Sequence, residues 1–280
     1  MTAFSPDWLA LREPADRAAR NRDVLNACAR AFAGRDQITV CDLGAGTGAS
    51  IRAFAGLLPS LQHWTLVDYD ARNLTAAASA LTAWADAASQ EGDALILRHG
   101  ARRLEVRTRI HDLARDPAGW PADADLVTTS AFVDLTSAAW IERFVAALAA
   151  TKTAVLSTLT VNGVIVPEPM HPLDQNVVAG FHAHQGSDKG FGPSAGPAGA
   201  LLLERALQKA GYSLTAGDSP WVLDRSQADL VRTTLNDIGA AVAETGKLES
   251  NALADWRAAV QKAERLTVGH RDVFARMTTA

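Results

Sequence analysis

The chain has 280 residues, 48% of them apolar, a formal net charge of −4 and two cysteines. Length and apolar share suit one large α/β domain with accessory parts, and the acidic balance argues against nucleic-acid binding, which goes with a basic excess. No apolar run is long enough to span a bilayer, the N-terminus lacks the cationic-then-apolar pattern of a signal peptide, and Cys28 and Cys41 read as buried and reduced, so a soluble cytoplasmic protein is expected, with no membrane or nucleic-acid partner and with its oligomeric state open.

Pro14 suits the first residue of a helix. Val24, Leu25, Cys28 and Phe32 then recur at helical spacing, and Gly34 ends the pattern. Residues 1–36 are expected to form an N-terminal helical cap, ahead of a main domain over 37–280. Arg12, Glu13, Asp16, Arg17 and Arg20 crowd the start of that helix. Two readings stand: a solvated helix end, or a lid with Arg20, the arginine nearest the apolar face, reaching a bound carboxylate. Ile38 to Leu43 reads as a short buried strand that breaks at Gly44 and feeds a helix beginning near Thr47. The glycines around Ala45 (Gly44, Gly46 and Gly48) allow a tight turn and close backbone approach of a ligand. The first amides of the helix then face that ligand. Gly44-x-Gly46-x-x-Ala49 also fits the looser dinucleotide fingerprint. Asp42 sharpens the reading: a carboxylate two residues before the first glycine repels a pyrophosphate and suits a cationic amino group. His63 to Asp68 reads as the second strand, ending in Asp68-Tyr69-Asp70. A carboxylate at that strand end can accept both hydroxyls of a ribose.

The Asp42-x-Gly-x-Gly-x-Gly loop with Asp68 resembles the class I S-adenosylmethionine-dependent methyltransferases, over about residues 38–159. The resemblance implies an α/β fold: a doubly wound, mostly parallel seven-stranded sheet in the order 3-2-1-4-5-7-6, the last strand antiparallel, with helices on both faces. It implies S-adenosyl-L-methionine as cofactor, its ammonium recognised by Asp42 and its ribose by Asp68, with Tyr69 alongside. Two alternatives are an NAD(P)-dependent oxidoreductase and a non-catalytic cofactor-binding scaffold. Asp42 argues against the first, and no Tyr-x-x-x-Lys pair follows the fourth strand to support it.

Ile51, Phe54 and Leu58 mark the next helix, stopped by Pro59, and Leu74, Ala78, Leu81 and Ala85 the one after. Ala94 to Leu97 and the segment from Leu104 suggest a hairpin. In its second arm Leu104, Val106, Thr108 and Ile110 alternate with Glu105, Arg107 and Arg109. That is a half-exposed strand near a sheet edge, and the methyltransferase order also puts the third strand at the edge. His111-Asp112-Leu113 follows. The resemblance implies that Asp112 and Leu113 receive the adenine; the alternative is an exposed loop aspartate. Asp125 to Ser130 reads as the fourth strand, ending beside the glycine loop where ligands bind in such sheets. That brings Ser130 to the cofactor and Asp134 towards the methyl acceptor. The Asn/Asp-Pro-Pro-aromatic motif of adenine and amide-nitrogen methylases is absent here, which points away from DNA and glutamine.

Trp140, Ile141, Phe144, Val145 and Leu148 form the fourth helix's stripe, and Ala154 to Leu159 the fifth strand. Residues 162–197 are too long for an ordinary connection. They concentrate His171, His182, His184, Gln185, Asp188 and Lys189. Methyl transfer is an in-line displacement that rests largely on alignment. A protonated nucleophile also needs a base, commonly His or a carboxylate. His182, His184 and then Asp134 are the candidates, with His171, Gln185 and Lys189 as substrate contacts. The bland alternative is a polar loop without a chemical role. His182-x-His184 on a strand would share a face and make a metal pair with His171, but no cysteine or carboxylate cluster completes it and no metal is expected. Further on come a helix over 197–210, a sixth strand from Tyr212 to Thr215, and helices capped by Asp224 and Ser250. The final antiparallel strand is either Leu266–Val268 or Trp221–Leu223. Residues 162–197 and 224–264 are expected to cover the substrate. The chain is expected to be a methyltransferase acting on a small molecule.

Overall fold

The computed structural model describes residues 5–277. Its centre is β1 (Gln37–Leu43), buried on both faces because Ile38 and Val40 point one way and Cys41 and Leu43 the other. The chain begins with α1 (Pro6–Ala19) and α2 (Arg22–Phe32) before β1, and continues with α3 (Ala49–Phe54), β2 (Leu61–Asp68), α4 (Ala71–Trp84), β3 (Ala87–Glu91), β4 (Ala94–His99) and β5 (Arg102–Ile110). Then come β6 (Leu126–Ser130), α5 (Ala138–Thr151), β7 (Ala154–Glu168), α6 (Asp174–Gln185), α7 (Gly199–Lys209), β8 (Tyr212–Asp218) and β9 (Trp221–Leu223). The chain closes with α8 (Ala228–Thr245), α9 (Ser250–Val260) and β10 (Arg265–Met277).

The strands form one ten-stranded sheet in the order β3-β4-β5-β2-β1-β6-β7-β10-β8, with β9 paired to β10. β5, β2, β1, β6 and β7 run parallel, and β10 runs antiparallel to both β7 and β8. The expected order of seven is therefore embedded in a larger sheet. β5 is not the edge: β4 and β3 continue the sheet beyond it. Its charged face is spent on ion pairs of Glu105 with Arg107, Arg103 and His63. Both candidates for the last strand form, because the long β10 pairs with Trp221–Leu223 through its first residues.

Three apolar clusters hold the sheet. α2, α3 and α4 cover one face through Cys28, Phe32, Ile51, Phe54 and Leu81; α5 and α7 cover the other through Trp140, Phe144, Leu148 and Leu203. In the third, α6, α8 and α9 bury Val177, Leu235, Ile238 and Trp256 against Ile165, Trp221 and Val268. Among the described residues no helix is long and apolar enough to cross a membrane. Both cysteines are unpaired and buried, and burial pushes the Cys28 thiol up to about 12.

Other expectations are corrected. The N-terminal region is two helices, and Pro14 lies inside α1. The break falls at Arg20–Asn21, where the Asn21 side chain accepts from the amides of Asp23 and Val24 and so starts α2. The 162–197 stretch is not a loop: β7 runs on to Glu168, and α6 follows. Asp224 caps a short 3-10 turn ahead of α8, and Glu249, not Ser250, is the N-cap of α9.

β7 bends where Leu159 takes a left-handed φ of 56°, and its pairing with β10 shifts register between Val268 and His270 and between Arg271 and Val273. Asp272 fixes this irregularity. Its carboxylate, fully buried, accepts from the Leu159 amide (2.7 Å), the Asn21 amide (2.8 Å) and the Ser219 hydroxyl (2.5 Å). Asp272→Ala strands these three donors, so it is expected to lower unfolding stability by about 3 kcal/mol or more in urea titration. A loss below about 1 kcal/mol would show that water replaces the carboxylate.

Candidate active site

The site forms at the carboxyl ends of β1, β2 and β6, where the connections leave in opposite directions. The turn after β1 holds Gly44 at φ 67° and Gly46 at φ 52°. A Cβ on Gly44 would come 2.9 Å from the Phe132 ring, and one on Gly46 3.0 Å from Leu9 of α1. The turn is thus pressed between the strand-β6 loop and the N-terminal helix, with no room for a side chain.

Asp68, at the end of β2, holds the turn from below. One carboxylate oxygen accepts from the Gly46 amide at 2.8 Å and the other from the Asp70 amide at 2.9 Å. Each oxygen keeps a second lone pair. The Gly46 amide is already taken, which removes a donor that a phosphate cradle would use.

A cavity of about 170 Å³ lies above this turn, bounded by α1, the ends of β2 and β6, and Phe191. Asp16, Asp68, Asp70 and Asp112 line it, together with Arg12 and Arg20. Arg12 is spent on Asp16, at 2.9 and 3.1 Å. Arg20 is 6% exposed, its Nε has no partner, and its guanidinium stacks 5.1 Å from the Phe54 ring. Burial pulls its pKa down, while Asp16, Asp272 and Asp42 oppose this and hold the charge. Among the described residues the cavity therefore combines an acidic lining with one buried, uncommitted cation.

A second cavity of about 970 Å³ adjoins the first and shares Arg12, Ala131 and Leu135 with it. The β7 extension, α6, α8, β9, β10 and Trp8 of α1 wall it. Ala131, at the junction, holds a φ of 52° despite its Cβ, at a cost of about 1 kcal/mol. Two buried titratable groups line the larger cavity. Asp134 sits in a 3-10 turn after β6 and is 5% exposed, with Oδ1 unpartnered. Burial raises its pKa to about 6, against the amides of Asp134 and Val161 and the charge of Arg12. His270 is 2% exposed with Nδ1 unpartnered, and burial together with Arg12 drives it down to about 3, so it is neutral.

The expected cofactor residues converge in part. Arg20, Gly44, Ala45, Gly46, Asp68, Tyr69, Asp112, Leu113 and Ser130 all line the smaller cavity. Gly48 does not; it starts α3, packed against Leu81. Asp42 lies beneath the wall, 1% exposed, with one oxygen accepting from Thr128 Oγ1 at 2.6 Å and the other unpartnered. In the larger cavity the structure places His184, Gln185, Lys189 and Asp134. His182 is on neither wall: its Nε2 lies 3.0 Å from the Gly163 carbonyl. His182 and His184 sit two apart on a helix and so point away from each other. His184 pairs at 3.0 Å with Glu244. His171 is on neither wall; it precedes α6, donating its amide to Asp174 and accepting from the Leu173 amide at Nδ1. Among the described residues no cluster of His, Cys, Asp or Glu is arranged to hold a metal.

Sequence reasoning missed His270, Trp8, Trp221 and Phe191. The last packs edge-to-face on Phe132 (5.5 Å) and Trp140 (5.8 Å) and closes the smaller cavity. Its setting between two glycines was the available signal. His270, inside a strand, carried none.

No protein-family profile and no curated protein sequence matches this chain. Solved structures do. A protein of Bacillus halodurans C-125 assigned as a methyltransferase aligns with a TM-score of 0.52 at 14% identity, covering 92% of this chain and 100% of its own. The cyclopropane synthase MmaA2 of Mycobacterium tuberculosis aligns at 0.52 and 12% identity, covering 98% of this chain and 95% of its own. The chain shares the fold of these two proteins, a Rossmann-like sheet with helices on both faces. A cyclopropane-fatty-acyl-phospholipid synthase-like protein of Lactobacillus casei ATCC 334 shares the methyltransferase fold at a TM-score of 0.52 and 19% identity, over 96% of this chain and 94% of that one.

Within that fold the state of Asp42 is measurable. Burial raises its pKa from 3.8 to about 7, against the hydroxyls of Thr128 and Ser50 and the charge of Arg20. An acid raised on folding contributes stability that is present below its unfolded pKa and lost as pH rises through its folded one. Relative to Asp42→Asn, the wild-type protein is therefore expected to lose thermal stability steadily between about pH 4 and pH 8. A constant difference across that range would show that Asp42 is ionised throughout.

Proposed function

We propose that this chain transfers a methyl group from S-adenosyl-L-methionine to a small-molecule acceptor. The observation that carries this reading is the smaller cavity, which sets four carboxylates and a buried, unpaired arginine around a glycine turn whose central amide is already used. That lining suits a ligand bearing an ammonium, a sulfonium and a carboxylate, and it opposes the pyrophosphate of a nicotinamide dinucleotide. Arg20 meets the carboxylate of the cofactor and Asp68 its ribose hydroxyls. Asp112, Leu113 and Tyr69 hold the adenine, and Ser130 faces the cofactor from the end of β6. Asp42 acts from beneath the wall as a field on the ammonium, not as a direct ligand. The cofactor supplies an electrophilic methyl group on a sulfonium.

The larger cavity holds the acceptor, with Gln185 and Lys189 on its wall. α1 covers both cavities and, with α2, forms the N-terminal cap, while segments 162–197 and 224–264 enclose the acceptor. Asp134 is the base. It lines the acceptor cavity beside the wall shared with the cofactor, and its pKa near 6 leaves it ionised at neutral pH yet able to take a proton. His184, held by Glu244, serves as wall. The reduced, buried cysteines suit a cytoplasmic setting.

Calorimetry with S-adenosylmethionine tests the cofactor. Asp68→Ala is expected to weaken binding by about 1.5–3 kcal/mol, the scale of hydrogen bonds to a charged group; unchanged affinity would remove Asp68 from the site. Asp134→Asn is expected to slow turnover roughly 10²–10⁴-fold with cofactor affinity unchanged. Wild-type turnover should rise with pH through about 6 as Asp134 ionises facing Arg12 and neutral His270. A flat profile with full activity in Asp134→Asn would exclude it as the base.

A further inference from the structure

The size and lining of the acceptor cavity narrow its occupant. At about 970 Å³ it lies at the upper end of small-molecule pockets, which run from roughly 300 to 1,000 Å³. Trp8, Ile165, Phe181, Trp221, Ile238 and Val268 supply apolar surface from α1, α6, α8 and three strands. Aromatic and branched side chains on several elements favour a bulky apolar body, because ring burial gives the largest gain per group. The charged side chains gather at the outer rim, where Asp188, Glu244 and Lys247 are exposed.

The inner wall is different. Arg12 is paired to Asp16 and stacks 4.9 Å from the Trp221 ring, so its charge is committed. His270 is a neutral imidazole with Nδ1 unsatisfied, and Asp134 is buried with Oδ1 unsatisfied. Buried polar groups left without partners cost free energy, and a ligand group that both donates and accepts relieves that cost. A carboxylate would meet repulsion from Asp134. An amine would be held as its ammonium, which has no lone pair to methylate.

We infer that the larger cavity takes a bulky, mostly apolar molecule that leads with one hydroxyl group, held between Asp134 and His270. This rests on the methyltransferase reading for the reaction but not for the binding. In the reaction the hydroxyl proton passes to the Asp134 carboxylate as the oxygen bonds the methyl carbon. The electron pair of the broken carbon–sulfur bond stays on sulfur. His270 is a positioning residue: it holds the hydroxyl and takes no proton.

The test uses the full chain and two fluorescent probes, 2-naphthol and naphthalene, the second lacking the hydroxyl. The wild-type protein is expected to bind both, 2-naphthol more tightly by about thirtyfold or more, the worth of one hydrogen bond to the Asp134 carboxylate and one to neutral His270. Ile238→Glu should weaken both at least tenfold. His270→Phe should cut the preference for 2-naphthol about fivefold, the share of its one neutral hydrogen bond, while keeping naphthalene binding within twofold, and His270→Gln, which retains a hydrogen-bonding group, should restore part of it. Absence of binding, insensitivity to Ile238→Glu, or equal wild-type affinity for the two probes would overturn the assignment. If His270→Phe does not fold, the wild-type preference and its partial retention in His270→Gln decide. Calorimetry with S-adenosylhomocysteine on the same protein separates the two readings. Probe binding without cofactor binding sinks the methyltransferase reading alone, and cofactor binding without probe binding sinks the cavity assignment alone.

Discussion

The carboxylate of Asp272 fixes the point on which the architecture turns. Up to Leu159, β7 is an ordinary inner strand, buried on both faces. Beyond it the strand bends, and β10 bends with it, out of the layer covered by α5 and α7 and into the one covered by α6 and α8. A left-handed residue and two register shifts in one pair of strands leave backbone groups without ladder partners. Asp272 satisfies the amide at Leu159 and ties in the start of α2 and the β8–β9 turn. The extended arms of β7 and β10 are then free to wall a cavity that the parallel part of the sheet cannot reach. His270, two residues before Asp272 on the same strand, is carried to that wall by the same bend.

Burial sets the chemistry of the site more than ion pairing does. Asp42, Asp134 and His270 are each pushed towards their neutral forms by desolvation. They lie in different settings. Asp42 sits under an acidic cavity that holds a buried arginine, and its charged form gains when a cation arrives above it. Asp134 and His270 face an apolar chamber, where a carboxyl near 6 and an imidazole that stays neutral make an asymmetric pair. At neutral pH the first is mostly ionised and the second uncharged. The strained Ala131 stands where the two chambers meet.

The part of this arrangement legible in the sequence is the part written in short-range signals. Buried strands near the glycine turn, the turn itself and Asp68 all lie within about 30 residues, and their pattern follows from backbone and burial rules. The order of seven implied by the resemblance is found inside a larger sheet, in which the third strand of that order is not the edge. The larger cavity was illegible because distant pairings make it. The apolar pattern ends the fifth strand at Leu159, although the strand continues because β10 is there to pair with it. Gly180 and the histidines disguised α6, whose Gly180 lets Val242 of α8 approach closely. Pro14 suits a helix start but lies inside α1, and the cap that divides the N-terminal region is Asn21.

α1 belongs to both chambers. Leu9, Arg12 and Asp16 line one, Trp8 and Arg12 the other, and Glu13 clamps the helix to Arg52 just beyond the glycine turn. Any molecule that fills either chamber therefore restrains the same helix. The helix held by that clamp presents one side to each chamber, so a shift in its position alters both linings together.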